Sequence, residues 1–171
     1  MIALRADANA GIVRRPIDVA LRPDISLEWT WRVNALPSRV REDAFATHDY
    51  ASIALEFDDG RDLTWYWSAA LPVGHHYRCP LPRWRESETH VGARSGPQRL
   101  GVWIDERNDV QTDVARALSR APAKIVALWL IGVSLFQCGH ASVDVGRIAL
   151  VEGEATVIFP VLKSDNHGRE R

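Results

Sequence analysis

The feature that most constrains this chain is a strict alternation of apolar and polar side chains in its first third. From Ser26 to Asn34, every second residue is apolar (Leu27, Trp29, Trp31, Val33), and the residues between them are polar (Glu28, Thr30, Arg32, Asn34). Successive side chains of a β-strand point to opposite faces of a sheet. The pattern therefore predicts a half-buried antiparallel strand that places these tryptophans in the core.

A β-hairpin is predicted directly afterwards. The segments from Tyr50 to Phe57 and from Leu63 to Ser68 both alternate, and the turn signal Asp58-Asp59-Gly60 lies between them. An Asp-Gly pair flanked by alternating apolar residues is a strong hairpin signal. Trp65 and Trp67 share the apolar side, so we expect both to be buried.

The remaining pattern is that of an all-β protein. Further strands are predicted at Glu88–Arg94, Leu100–Asp105, Lys124–Phe136, Arg147–Val151 and Ala155–Leu162, and one short helix at Asn108–Ser119. The segment Lys124–Phe136 is apolar on both faces and could form a buried helix, but its β-branched residues and Gly132 favour a central strand. Together these elements predict an antiparallel β-sandwich of jelly-roll type with one short helix.

Length and charge restrict the class of protein. The chain has 171 residues, the length of a single domain; we expect that domain to span residues 1–162, followed by a polar tail at 163–171. A net charge of −1 and a pI of about 6.6 argue against nucleic-acid binding. We see no apolar run long enough for a transmembrane segment. The first residues lack the pattern of a signal peptide, which leaves a cytoplasmic protein or a chain without its upstream part.

Several stretches resemble a known bacterial family. They are WTWRVNALP (29–37), the carboxylates Glu42 and Asp43, HDYASIALEFDDGRDLTWYWS (48–68), LGVWIDERNDVQTDV (100–114) and KIVALWLIGVSLF (124–136). Their order over nearly the whole chain is similar to that in domain-of-unknown-function family 3047 (DUF3047). The resemblance implies a galactose-binding or lectin-like β-sandwich with no established activity.

The resemblance also bears on compartment and chain start. Most members of that family are exported, so a periplasmic location follows if an upstream segment is missing here. Many carry an acidic Asp-x-Asp-Asn-Thr turn after the long apolar strand. Residues 137–142 of this chain read QCGHAS, which argues against a calcium or polar site at that turn. Members often begin one or two strands earlier, which would make residues 1–13 the second strand.

The polar sides of the predicted strands supply the candidate ligand site. If these strands are neighbours, one sheet face carries the candidate ligand-binding residues Thr30, Arg32, Glu56, Tyr66, Trp103 and Arg107. Aromatic platforms among polar groups are typical of sites for sugars or other small polar ligands. The alternative is the solvated face of a half-buried sheet. We accordingly predict a non-catalytic binding module for a small polar ligand or carbohydrate. The alternatives are an accessory subunit that packs on a partner protein and, third, a hydrolase with scattered catalytic residues.

Motifs for catalysis and for metals give little support. The sequence contains no Gly-x-Ser-x-Gly, His-Glu-x-x-His or P-loop motif, so we predict no catalytic residues. His75, His76 and Cys79 are near one another, but a structural zinc site needs four ligands, typically from two paired motifs. With no second pair visible, we predict no metal and no cofactor. Cys79 and Cys138 are expected to be thiols, although pairing stays open.

Two further features remain. The acidic run from Asp105 to Asp113 could bind a cation, but Arg107 within it favours an arginine–carboxylate network.

A sandwich that lacks an outer strand exposes an unpaired edge, so we expect the first segment to mediate a homodimer or docking on a complex, unless Arg5, Asp7 or Gly11 protects it.

Overall fold

The computed structural model of the protein describes residues 1–159. The predicted tail and the end of the last predicted strand lie outside these residues. The strands are β1 (Ile2–Asp7), β2 (Ala10–Ala20), β3 (Ser26–Ala35), β4 (Tyr50–Phe57), β5 (Asp62–Ser68), β6 (His76–Arg78), β7 (Glu88–Ser95), β8 (Ile104–Asp109), β9 (Lys124–Val133), β10 (His140–Glu152) and β11 (Glu154–Phe159). The helix α1 (Val110–Ala117) follows β8, and a 3₁₀ turn (Phe45–Thr47) precedes β4.

The described strands form two sheets that pack face to face. The five-stranded sheet has the order β1–β10–β3–β8, and β11 also pairs with β10. The six-stranded sheet has the order β2–β9–β4–β5–β7–β6. The mostly β sandwich with one short helix is therefore confirmed, whereas the jelly-roll connection stays a prediction.

The core between the sheets is built by the alternating residues that the sequence singles out. Trp29 and Trp31 of β3 and Trp65 and Trp67 of β5 are all at most 2% exposed. Trp31 and Trp67 come from opposite sheets, and their ring centroids lie 5.8 Å apart. These two rings join the layers of the sandwich.

The β4–β5 hairpin is confirmed in its pairing and turn. The strands are antiparallel, with Ile53 opposite Trp65 and Leu55 opposite Leu63. Gly60 has a φ of 80°, a backbone conformation that glycine adopts without steric cost.

Several elements differ from the sequence prediction. The strand expected at Leu100–Asp105 begins only at Ile104, because a turn with Gly101 at φ 76° occupies its first half. The strand expected from Arg147 begins at His140, and β6 was not predicted. The pairing of β5 with β7 is parallel, in an otherwise antiparallel six-stranded sheet. It places Glu88 beside Asp62 and His90 beside Thr64.

Two long stretches of chain, residues 36–49 and 69–87, contact the outer face of the six-stranded sheet, and the second includes the edge strand β6. We call them the covering segments. Glu42 in the first accepts hydrogen bonds from Ser68 Oγ (2.6 Å) and from the backbone N–H of Ala69 (2.6 Å). In the second, the N–H of Gly74 donates to the carbonyl of Gly92 (2.8 Å). Part of this outer face is thus closed off from solvent. Among the described residues, no helix has the length and apolarity needed to cross a membrane.

Candidate metal centre and adjoining groove

Four side chains of metal-ligating types meet beneath the covering segments. They belong to His48, Cys79, Glu88 and His90, whose ligand atoms all lie within 4.8 Å of one another. Each residue is buried, and the most exposed, Glu88, has 6% of its surface accessible. We call this group the His-Cys-Glu-His cluster.

Strand geometry explains how these residues meet. Glu88 and His90 are two positions apart on β7, so both point to the outer face. The antiparallel pairing of β6 with β7 sets Tyr77 opposite His90, and the N–H of Cys79 donates to the carbonyl of Glu88 (3.0 Å). His48 lies near the end of the first covering segment, two residues before β4. Three separate stretches of chain therefore supply the cluster.

The ring of His48 is held in one orientation and tautomer. Its Nδ1 lies 2.8 Å from the backbone carbonyl of Glu42. Because a carbonyl only accepts, Nδ1 carries the proton and Nε2 keeps its lone pair. Nε2 lies 3.3 Å from Cys79 Sγ. Metal-ligating histidines typically donate their second N–H to a carbonyl or carboxylate in this way.

His90 lacks the hydrogen bonds that a buried imidazole needs. Its Nε2 is 2.9 Å from Glu88 Oε1, but the contact falls outside hydrogen-bonding geometry, and among the described residues neither ring nitrogen has a hydrogen-bond partner. Unpaired buried polar atoms are rare and call for an explanation. A bound cation would supply a partner for the lone pair of this ring.

The protonation states suit metal binding. Burial and the neighbouring His90 lower the pKa of His48 to about 4, so its imidazole is neutral near pH 7. Burial opposes ionisation of Glu88, but the nearby His90 and the hydrogen bond from Tyr50 lower the pKa of Glu88 to about 2. Burial and the nearby Glu88 raise the pKa of the Cys79 thiol. Two of these groups are thus ready as ligands, and the thiol would lose its proton on binding.

Aromatic rings enclose the cluster. Tyr77 stacks on His90 with ring centroids 5.0 Å apart and planes 6° from parallel. Tyr50 contacts both histidines edge-on or tilted, at 4.7 Å from His90 and 4.8 Å from His48, and its hydroxyl donates to Glu88 Oε1 (2.9 Å). These rings exclude water and hold the polar groups in place.

An apolar groove of about 220 Å³ adjoins the cluster. It crosses the outer face of the six-stranded sheet, and its lining includes Glu88 of the cluster and Tyr50, which contacts both histidines. Its walls include Ile12, Leu81, Trp84, Trp129, Ile131 and Leu135. The polar groups that line it are Asp62, Glu88 and Tyr50.

The structure places the six sequence-predicted ligand-binding residues on two different sheets. Thr30, Arg32, Trp103 and Arg107 lie on or beside the five-stranded sheet, whereas Glu56 and Tyr66 belong to the six-stranded sheet. The expectation of one shared face is therefore wrong. Its premise fails because β3 pairs with β10 and β8 and not with the β4–β5 hairpin.

Tyr66 and Glu56 also differ from the exposed platform that was expected. Tyr66 is fully buried because the second covering segment lies over it, with Tyr77 at a ring distance of 6.0 Å. Glu56 accepts hydrogen bonds from Arg14 Nε and Trp129 Nε1, each at 2.9 Å. Neither side chain is free on an open surface.

The four residues of the five-stranded sheet are close together but are paired with other groups. Thr30 Oγ1 donates to Asp105 Oδ1 (2.5 Å), and Arg107 donates to Glu28 (2.8 Å). Arg32 donates to Asp144 (2.7 Å) while its guanidinium lies 5.1 Å from the centre of the Trp103 ring. A cavity of about 200 Å³ lies beside them, lined in part by Glu28, Thr30, Asp105 and Arg107. Trp103 is 40% exposed.

The acidic run forms arginine–carboxylate contacts and a helix cap. Glu106 pairs with Arg94 (2.6 Å) and accepts from Trp31 Nε1 (3.1 Å). Asp109 caps α1 by accepting from the N–H of Thr112. Both cysteines are free thiols, Cys79 buried and Cys138 exposed.

Sequence reasoning missed the cluster because it looked for pairs within one loop. His75 and His76 do not join it; Cys79 does, with three partners from distant positions. The available signal was alternation: Tyr77-x-Cys79 and Glu88-x-His90 each place two polar or aromatic residues on one strand face. Their convergence depends on the β6–β7 and β5–β7 pairings, which the sequence did not predict.

A two-sheet β-sandwich whose covering segments enclose a His-Cys-Glu-His cluster is the class of domain defined by this geometry. The family model described as "Protein of unknown function (DUF3047)" matches residues 1–149. The chain therefore belongs to the DUF3047 family, as its sequence resemblance predicted. None of the curated proteins compared with the chain matches it.

Proposed function

We propose that this protein is a non-catalytic, metal-holding β-sandwich module that binds one divalent transition-metal ion, zinc foremost, through His48, Cys79, Glu88 and His90. The observation that carries the proposal is the convergence of these four buried ligand atoms within 4.8 Å. Ligands about 2.0–2.3 Å from a tetrahedral zinc ion lie about 3.3–3.8 Å from one another. Small side-chain shifts are enough to reach that spacing.

The charges of the cluster fit a divalent ion. One thiolate and one carboxylate balance two positive charges, and two neutral imidazoles complete the set. A buried site then carries no net charge, which avoids the penalty for an unpaired buried ion. The mixture of sulfur, nitrogen and oxygen favours zinc or a similar transition metal over magnesium or calcium, which prefer oxygen alone.

Four protein ligands and complete burial support a structural role for the metal. Structural zinc sites are four-coordinate and closed, whereas catalytic sites keep a position for water or substrate. The metal would join the end of the first covering segment, the chain after β6, and β7. It would thereby hold both covering segments on the sheet.

Metal titration of chelator-treated protein tests this proposal. Cobalt(II) serves as a spectroscopic probe for zinc, and we expect one ion per chain with a thiolate-to-cobalt charge-transfer absorption. Cys79→Ser should remove that absorption and weaken zinc binding at least about 100-fold, beyond the effect of losing an outer-shell contact. The matched control is Cys138→Ser, since Cys138 is exposed and outside the cluster.

A second pair guards against misfolding of one variant. His90→Gln should weaken zinc binding, and His76→Gln, at an exposed position, should not. Wild-type protein that binds no zinc, or Cys79→Ser protein that folds and binds it as well as Cys138→Ser, would rule out the proposal.

A second candidate function is binding of a small polar ligand or carbohydrate on the five-stranded sheet. It is supported by the half-exposed Trp103, which has Arg32 over its ring, and by the cavity that Thr30 and Arg107 line. This candidate includes two parts of the sequence prediction that we retain as proposals, the lectin-like relationship and the jelly-roll connection of the strands. Fluorescence titration with a panel of monosaccharides should show saturation that Trp103→Ala abolishes. A flat response to every sugar would dismiss it.

A further inference from the structure

The groove beside the metal centre has the character of a ligand site in its own right. Apolar side chains along it are unusually exposed for their size: Ile12 at 55%, Trp84 at 42% and Leu135 at 47%. They come from β2, from the second covering segment and from the turn after β9. Exposed apolar groups gathered around a cavity mark interaction sites.

The charge inside the groove has one sign. Among the described residues that line it, the charged ones are Asp62 and Glu88, both acidic, and they are direct neighbours in the β5–β7 ladder. Arg14 lies outside, 5.3 Å from the centre of the Trp129 ring, and is paired with Glu56. The charged groups that line the groove are therefore hydrogen-bond acceptors.

Asp62 lacks a cationic partner among the hydrogen bonds and ion pairs of the described residues. Its Oδ1 accepts from Thr64 Oγ1 at 3.1 Å. Neighbouring carboxylates in apolar surroundings repel each other, and a cation placed between or beside them removes that cost.

We propose that the groove binds a small amphiphilic primary amine, with its ammonium group on Asp62 and Glu88 and its apolar body against Trp84 and Trp129. An ammonium offers three donors to groups that accept, and indole faces attract both apolar rings and cations. An anion would face two acidic side chains, and an alcohol would bring no positive charge to them.

This inference does not rest on the metal site. Asp62 is not one of the four proposed ligands. When a metal holds Glu88, the carboxylate of Asp62 remains as the anchor for the amine. Cys79 is not among the residues that line the groove.

Isothermal titration calorimetry with three probes of similar shape tests the proposal: 2-phenylethylamine, 2-phenylethanol and phenylacetate. Metal-free and zinc-loaded full-length protein are both titrated. We expect the amine to bind at least tenfold more tightly than either of the other probes. Asp62→Asn should reduce amine affinity at least tenfold while zinc uptake is unchanged, and the matched control Asp18→Asn, at an exposed site on β2, should behave as wild type.

A second variant covers the case in which Asp62→Asn does not fold. Leu135→Lys puts a competing ammonium at the exposed rim and should also weaken amine binding. Cys79→Ser should lose zinc but keep the amine, which separates this inference from the metal proposal. Equal binding of amine and alcohol, tighter binding of phenylacetate, or no binding of any probe would overturn the proposal.

Discussion

At the scale of single residues, the tryptophans divide into two kinds. Trp65 is fully buried between the sheets, and its Nε1 donates to Asp113 Oδ2 (2.7 Å). Trp103 is 40% exposed and lies against the backbone near Gly146, with Arg32 over its ring. One residue type thus serves both the core and the surface.

This difference makes a prediction about stability. Trp65→Ala should lower the free energy of unfolding by about 3–5 kcal/mol, because it empties a large core site. Trp103→Ala should cost less than about 1 kcal/mol, as expected for an exposed position. Urea denaturation followed by circular dichroism measures both; equal losses would mean that the burial of the two rings is misassigned.

Asp144 is the other residue whose surroundings make a measurable prediction. Burial opposes its ionisation, but hydrogen bonds from Arg5, Arg32 and Asn34 lower the pKa of Asp144 to about 2. Arg5 and Arg32 are 45% and 36% exposed in their side chains, so solvent screens part of this interaction. After that allowance, the network contributes about 1–2 kcal/mol.

The pH dependence follows from the sign of this shift. The pKa of Asp144 is lower in the folded state than its unfolded value of about 4, so the unfolded state takes up the proton first as pH falls. The stabilisation is complete above about pH 5 and is lost as pH falls from about 4 to 2. Urea denaturation at each pH measures the free energy of unfolding. The loss between about pH 4 and 2 should be absent in Asp144→Asn and present in Asp18→Asn. If the free energy of unfolding of wild type and of Asp144→Asn changed in parallel with pH, this prediction would be contradicted.

At the scale of secondary-structure elements, Gly92 determines how closely the second covering segment lies against β7. A Cβ at this position would be 2.9 Å from the carbonyl oxygen of Pro72, and that backbone also bonds through Gly74. The glycine therefore allows the close approach that brings the chain around to Cys79.

Gly92→Ala accordingly should push the covering segment away from the sheet. We expect a loss of about 1–2 kcal/mol in stability and weaker zinc binding, because Cys79 no longer reaches His48. Gly11→Ala is the matched control, since its Cβ would meet no atom of residues 1–159 within 4 Å. Zinc titration compares the affinities of the two variants. A wild-type zinc affinity in Gly92→Ala would show that the second covering segment adjusts freely to the added methyl group.

The elements also show where sequence reasoning succeeded. Local alternation predicted β3 and the β4–β5 hairpin, because the side-chain period of a strand depends on neighbours in the chain. It assigned Tyr66 to the side opposite Trp65 and Trp67, which is correct, but it could not tell that a connection more than ten residues away covers that side. The cluster was missed for the same reason, since the meeting of His48 with Cys79 and Glu88 depends on long-range pairing.

At the scale of the whole molecule, the two outer faces differ in kind. The five-stranded sheet presents ion pairs such as Arg32 with Asp144 and Arg107 with Glu28. The six-stranded sheet is covered over part of its width, and the covered part holds the His-Cys-Glu-His cluster. The arrangement gives one solvated face and one face built around a buried polar site.

The sheet edges bear on association. β1 and β2 form the edges of different sheets, and β2 exposes Ile12 and Val13 at 55% and 44%. Pro16 and the register shift after it limit pairing along part of β2. We still expect a homodimer through this edge, and Val13→Lys should shift sedimentation towards the monomer. Wild-type protein that sediments as a monomer at high concentration would exclude it.

The central claim is that the fold assembles one buried transition-metal site from three distant stretches of chain. X-ray absorption spectroscopy of the zinc-loaded protein tests it most directly. The account predicts one sulfur at about 2.3 Å and three nitrogen or oxygen ligands at about 2.0–2.1 Å, with the sulfur lost in Cys79→Ser and kept in Cys138→Ser. A zinc shell of nitrogen and oxygen alone in the wild-type protein would contradict it.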